Sequence, residues 1–210
     1  EAPLGSRTKL TLPDGTLVWL NAGSRITYSQ GFGVGNRKIE LIGEGYFEVK
    51  RNEEVPFLVK TNSLLVKVLG TKFNFRDYPD DAEAIVSLSE GKVALNNLLK
   101  KEKEAFLLPN ERVVLNKKNG RMHVEYSTVS NALQWTNGYL FFDEELLPDV
   151  VKELERSYNV KIQIASDTLN TFRFYGNFVH REQNIQEVLE ALSATRKIHY
   201  IIEGHNITLY

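Results

Sequence analysis

Histidine is the first residue type to weigh, because the 210-residue chain has no cysteine. Metal ligation would therefore fall to four histidines and the carboxylates. His123 lies in a strand-like stretch, whereas His180, His199 and His205 fall in a loop, a strand and a turn near the end of the chain. No HxH, HExxH or calcium-loop spacing joins them, and one histidine in the β-rich region is too few for a cupin-type centre. Gly31-Phe-Gly-Val-Gly35 has the look of a phosphate loop but lacks the following Lys-Ser/Thr and reads as a loop tip. Glu53/Glu54 and Asp80/Asp81 are sequence neighbours, not carboxylates held across a cleft, and read as solvated pairs. No Gly-x-Ser-x-Gly elbow anchors a hydrolase triad, and Asn206-Ile-Thr208 is a glycosylation sequon of the kind chains meet by chance. The reading is of a protein that is not an enzyme and that carries no catalytic, metal or cofactor site. Trp19, Trp135 and nine tyrosines leave one alternative, a non-catalytic β-domain stacking on carbohydrate. Against it, Trp19 alternates with Leu12 and Leu17, which places it in a core.

The elements that would position a binding surface follow from composition and period. With 42% hydrophobic and 25% charged residues the chain is an ordinary folding sequence, and no apolar run approaches the ~18 residues of a membrane helix. It begins at Glu1 without a signal-peptide pattern and reads as a piece of a longer protein. The net charge of −1 gives no reason to expect nucleic acid. Residues 138–210 carry 7 Lys and Arg against 11 Asp and Glu, so residues 1–137 are net basic.

Residues 1–126 alternate apolar and polar positions in short stretches broken by turn residues, beginning with Arg7–Leu12, the turn Pro13-Asp14-Gly15 and Thr16–Leu20. Leu10, Leu12, Leu17 and Trp19 are expected on one face of that pair. Separate strands are expected at residues 38–42 and 46–50, and others continue to Met122–Tyr126. The fold class is mainly β plus α+β: a solenoid- or sandwich-like all-β domain, a linker over 127–137, and a small βαβ-βαβ domain over 138–210. In that last part Leu147, Val150, Val151, Leu154 and Tyr158 form a helical stripe with Pro148 in its first turn. Asn184 and Glu187 have the spacing of a capping box on a second helix.

The string Gly5-Ser-Arg-Thr-Lys-Leu-Thr-Leu-Pro-Asp-Gly-Thr-Leu-Val-Trp-Leu-Asn-Ala-Gly-Ser24 resembles the opening of the extracytoplasmic part of FecR-type anti-sigma factors. Leu41–Val49, Pro56–Val59, Val68–Phe75 and Glu90–Val93 resemble that family's successive blocks, and Trp135–Gly138, Leu154–Val160 and Phe174–Phe178 resemble its C-terminal domain in Bacteroidetes-like bacteria. Ser157 departs from a usual Trp, and Gly45 from a common Ala. The resemblance implies the periplasmic domain of a single-pass inner-membrane protein, with a transmembrane helix and a sigma-binding cytoplasmic part lying outside this sequence. It further implies signal transduction from the periplasmic signalling domain of a TonB-dependent outer-membrane transporter to an extracytoplasmic-function (ECF) sigma factor, and so transcription regulation. Its C-terminal module is similar to the short domains that open secretins and TonB-dependent receptors. Main-chain pairing at a sheet edge would suit such protein–protein docking. The candidate edges are Phe172–Phe178, with Phe172, Phe174, Tyr175 and Phe178, and Ile207–Tyr210, with Ile207 and Leu209.

Overall fold

The structure is a computed structural model that describes residues 1–180, 182–194 and 196–210. Two compact units are present. The first comprises Glu1–Pro3 and Arg7–Leu133, and the second comprises Leu4–Ser6 and Gln134–Tyr210. Leu4–Ser6 belong with the second unit because Gly5, at a φ of 73°, donates its N–H to the Arg156 carbonyl at 2.8 Å.

The first unit is built on β4 (Arg37–Glu48), where the sequence suggests two strands and the structure has one. Its first half pairs antiparallel with β3 (Arg25–Tyr28) and parallel with β5 (Phe57–Lys60), and β6 (Leu64–Val68), β9 (Val93–Asn97) and β10 (Ala105–Leu107) follow outward. Its second half pairs with β2 (Leu17–Leu20) and β7 (Lys72–Asp77). Beyond β2 lies β1 (Thr8–Thr11), and beyond β7 lie β8 (Glu83–Glu90), β11 (Glu111–Asn116) and β12 (Met122–Tyr126). Strands of both halves contribute to a single core, as a sandwich requires. Phe47 stacks on Phe73 at 5.1 Å between ring centroids and meets Phe57 from the other half at 6.3 Å. A helical turn, α1 (Val129–Ala132), ends the unit.

The register of β1 and β2 corrects the expected face. Leu10 lies opposite Val18 and Lys9 opposite Trp19. Leu12, Val18 and Leu20 are therefore the buried side, while Leu17 and Trp19 point to the other face and are only half-buried. A five-residue connection sets that pairing, and a shift of one residue exchanges the faces.

The second unit repeats a strand-helix-strand pattern: β13 (Tyr139–Leu146), α2 (Leu147–Tyr158) and β14 (Lys161–Ile164), then β15 (Arg173–Val179), α3 (Ile185–Ser193) and β16 (Tyr200–Glu203), closed by β17 (Asn206–Leu209). The first strands of the two repeats pair with each other as a two-stranded antiparallel sheet. The second strands flank β17 in a three-stranded sheet, β14-β17-β16. Pro148 sits in the first turn of α2, Asn159 closes that helix in the left-handed conformation, and Asn184 and Glu187 form a reciprocal capping box on α3. Helices and both sheets share one apolar core.

Gly43 joins the two halves of β4 at a φ of 96°, and a Cβ there would stand 2.4 Å from Ser24 Oγ and 2.9 Å from Ser24 Cα. Gly43→Ala is expected to cost about 2 to 4 kcal/mol, from left-handed strain and overpacking together. It should lower the denaturant midpoint without changing the slope.

Candidate docking surface

Among the described residues, no group of three or more His, Asp or Glu is arranged to hold a metal ion, and no helix is long and apolar enough to cross a membrane. His180 instead lies 2.6 Å from the Ser157 carbonyl and packs on Tyr158 at 4.8 Å between ring centroids. His199 packs against Tyr210, and His123 lies beside Glu125 on an edge strand. The polar groups brought together inside the first unit serve one another. Glu44 accepts hydrogen bonds from Asn21 at 2.9 Å and Asn74 at 2.8 Å, and its N–H donates to Ser24 Oγ at 2.8 Å. Tyr78 donates to the Ala22 carbonyl. Arg37, almost wholly buried, donates to Asp14 and to the carbonyls of Lys50, Asn52 and Val55. These hydrogen bonds pair the buried carboxylate and guanidinium with donors and acceptors of the fold, which is how it tolerates buried charge.

The carbohydrate-stacking alternative rests on aromatic faces open to solvent. The Lys9 ammonium lies 4.4 Å above the Trp19 ring, and Tyr46 tilts against the same ring at 5.3 Å. Trp135 is buried.

The two expected sheet edges differ in the structure. The edge expected at Ile207–Tyr210 does not exist as such: β17 is the central strand, paired with β14 on one side and β16 on the other, and Ile207 and Leu209 are core residues. The apolar character that suggests an interface there arises from burial within the unit. β15 is different, because among the described residues its sheet has two strands. The Leu147 N–H bonds the Phe172 carbonyl and the His180 N–H bonds the Gly138 carbonyl, so residues 172, 174, 176, 178 and 180 face β13. Main-chain groups of Arg173, Tyr175, Asn177 and Val179 point the other way. Val179 is already satisfied, its N–H by Gln183 Oε1 and its carbonyl by the N–H groups of Glu182 and Gln183. Arg173, Tyr175 and Asn177 remain along an exposed rim.

Side chains divide by the same period. Phe174 and Phe178 lie in the core and Phe172 packs partly against it, while Tyr175 is 65% exposed. The Tyr175 hydroxyl donates to the Glu144 carboxylate, which raises its pKa, and Arg173 donates to the Glu144 carbonyl at 2.6 Å. Glu144 lies in a bulge of β13 at a φ of 55°, opposite Tyr175. Sequence reading misses this bulge, because nothing in Asp143-Glu144-Glu145 distinguishes a left-handed residue from an extended one.

Residues 1–94 match the family described as FecR protein, and residues 139–209 match FecR, C-terminal. Two crystal structures of a candidate anti-sigma factor from Parabacteroides distasonis ATCC 8503 are 34% identical in sequence. They superpose with TM-scores of 0.91 and 0.90, covering 100% of this chain and 97% and 96% of theirs. The chain belongs to the FecR family of anti-sigma factors. No curated protein matches it. In this FecR chain, the family-like blocks read from the sequence include Asn21–Ser24, Gly43–Glu44 and Asn74, the residues that build the Glu44 network.

Tyr46, beside Trp19, tests how tightly this outer face is packed. Burial first, and the Glu48 carboxylate second, push its hydroxyl pKa up to about 12 from 10.0. Below pH 10 the folded and unfolded chains both keep the proton, so stability does not depend on this group. Between pH 10 and 12 only the unfolded chain releases it, so stability falls as pH rises. Denaturant midpoints measured across that window should fall more steeply for the native protein than for Tyr46→Phe.

Proposed function

We propose that the chain is the periplasmic sensor region of a single-pass inner-membrane anti-sigma factor. In this reading it takes its signal from the periplasmic signalling domain of a TonB-dependent transporter. It relays that signal to an ECF sigma factor held by a cytoplasmic part outside the sequence. The reading is supported by family membership in both units, and the observation that carries the docking step is the open β15 edge. An incoming extended segment would pair with the outward main-chain groups of Arg173, Tyr175 and Asn177 as a third strand, with Tyr175 as the exposed side-chain contact. Binding, not turnover, would then carry the signal. Main-chain pairing also explains how such a surface works without a cluster of charged hot spots.

Calorimetric titration of the whole chain with the cognate transporter's signalling domain tests this. Saturable binding is expected. Asn177→Pro removes an outward N–H while leaving the hydrogen bonds to β13 in place, and should weaken binding about tenfold or more, whereas Asn177→Ala should not. Absence of binding by the native chain overturns the transporter reading. Native affinity in Asn177→Pro, with the fold intact, overturns the assignment of the edge alone.

A further inference from the structure

In the first unit, the loop after β9 and the β11–β12 turn are fastened into one surface. Asn97 Nδ2 donates to the Gly120 carbonyl at 3.0 Å, while Asn97 Oδ1 accepts the N–H groups of Leu99 at 2.9 Å and Lys100 at 3.2 Å. The stem of Lys100 lies over Gly120, so closely that a Cβ there would be 3.0 Å from Lys100 Cγ. This brings exposed Lys100, Lys101 and Lys103 beside exposed Lys118 and Arg121. Lys117, in the same turn, is occupied by Asp77 at 2.6 Å. The acids in the loop are Glu102, which accepts from Asn97 at 3.1 Å, and Glu104. Cations are thus in excess. At their margin Leu98 and Leu99 are 42% and 43% exposed.

Two adjacent leucines in solvent, bordered by lysines on one stapled tip, combine the elements that hold a peripheral protein at an anionic bilayer: side chains able to enter the acyl boundary and cations for the headgroups. Four of the five exposed cations are lysines. A lysine ammonium is a mobile point charge that follows fluid headgroups, whereas the arginine fork suits phosphates held in fixed positions. We infer that this tip is a contact site for an anionic lipid surface. It is formed within the first unit and does not depend on the β15 edge.

Flotation of the whole chain with vesicles tests the inference, using phosphatidylglycerol mixed into phosphatidylcholine against phosphatidylcholine alone. The native chain should float with the anionic vesicles only, and less so as salt is raised. Each lysine at such a surface is worth roughly fivefold in affinity, so Lys100→Ala with Lys101→Ala should weaken partitioning roughly twentyfold. Leu98→Ser with Leu99→Ser should weaken it about tenfold, with far-UV circular dichroism confirming that both variants fold. Equal or absent flotation on the two vesicle types overturns the inference, as does native partitioning in both variants. Binding to polyglutamate as tight as to anionic vesicles, unaffected by the leucine changes, would overturn it in favour of an acidic protein partner. The Asn177→Pro chain should partition like the native one, which separates this result from failure at the transporter-docking edge.

Discussion

One strand has to belong to two sheet halves, and much of the first unit follows from how β4 manages it. Residues 37–42 alternate buried and exposed, as a strand with one solvated face does, whereas residues 43–47 are buried throughout. The change comes at Gly43, where positive φ re-aims the chain and the absent side chain admits Ser24. That close approach lets Ser24 Oγ accept the Glu44 N–H and donate to the Tyr78 hydroxyl, tying the β2–β3 connection to the β7–β8 connection. At the strand's other end Arg37 binds the Pro13–Gly15 turn through Asp14 and gathers three carbonyls of the β4–β5 connection. Breaking either end would leave a buried charge or buried carbonyls without partners, a larger loss than removing an exposed ion pair.

The second unit solves a different problem. Among the described residues, seventeen buried apolar residues serve two helices and five strands, and each repeat sends its first strand to one sheet and its second to the other. A two-stranded sheet results, and a two-stranded sheet must expose main chain. Val179 shows how that exposure is limited, since Gln183, just before α3, accepts its N–H. The edge that remains is three residues long and rimmed by Arg173 and Tyr175. It is short and polar enough to resist indiscriminate pairing while leaving ladder groups for a specific strand.

Much of this was legible in the sequence because it depends on local rules. The strands of the first unit stand close to where alternation places them, and Pro148 and the Asn184–Glu187 box reflect turn and cap chemistry fixed by neighbouring residues. Long-range pairing was less legible. Residues 38–42 and 46–50 look separate because Gly43 and Gly45 resemble a turn, and only the partners on both sides show a continuous strand. Trp19 changes face through the pairing of β1 with β2, which no single segment contains. Ile207 and Leu209 carry the same apolar alternation on a central strand as on an edge, so the pattern could not say which they occupied. Gly45 shows the converse: a Cβ there would stand 2.9 Å from the Phe47 ring, a packing reason for glycine that the segment alone does not display.

The conspicuous polar residues of the first unit point away from chemistry for a physical reason. A buried carboxylate such as Glu44 is tolerable only when donors surround it, and the amides of Asn21 and Asn74 are aimed at it from separate strands and loops. A group held this way is poor material for binding an incoming ligand, because a ligand would have to displace hydrogen bonds that the fold itself needs. The two proposed contact surfaces use groups whose satisfaction the fold does not require: the outward main chain of β15 and the solvated side chains of the β9–β10 loop. Both surfaces can change sequence without disturbing either core.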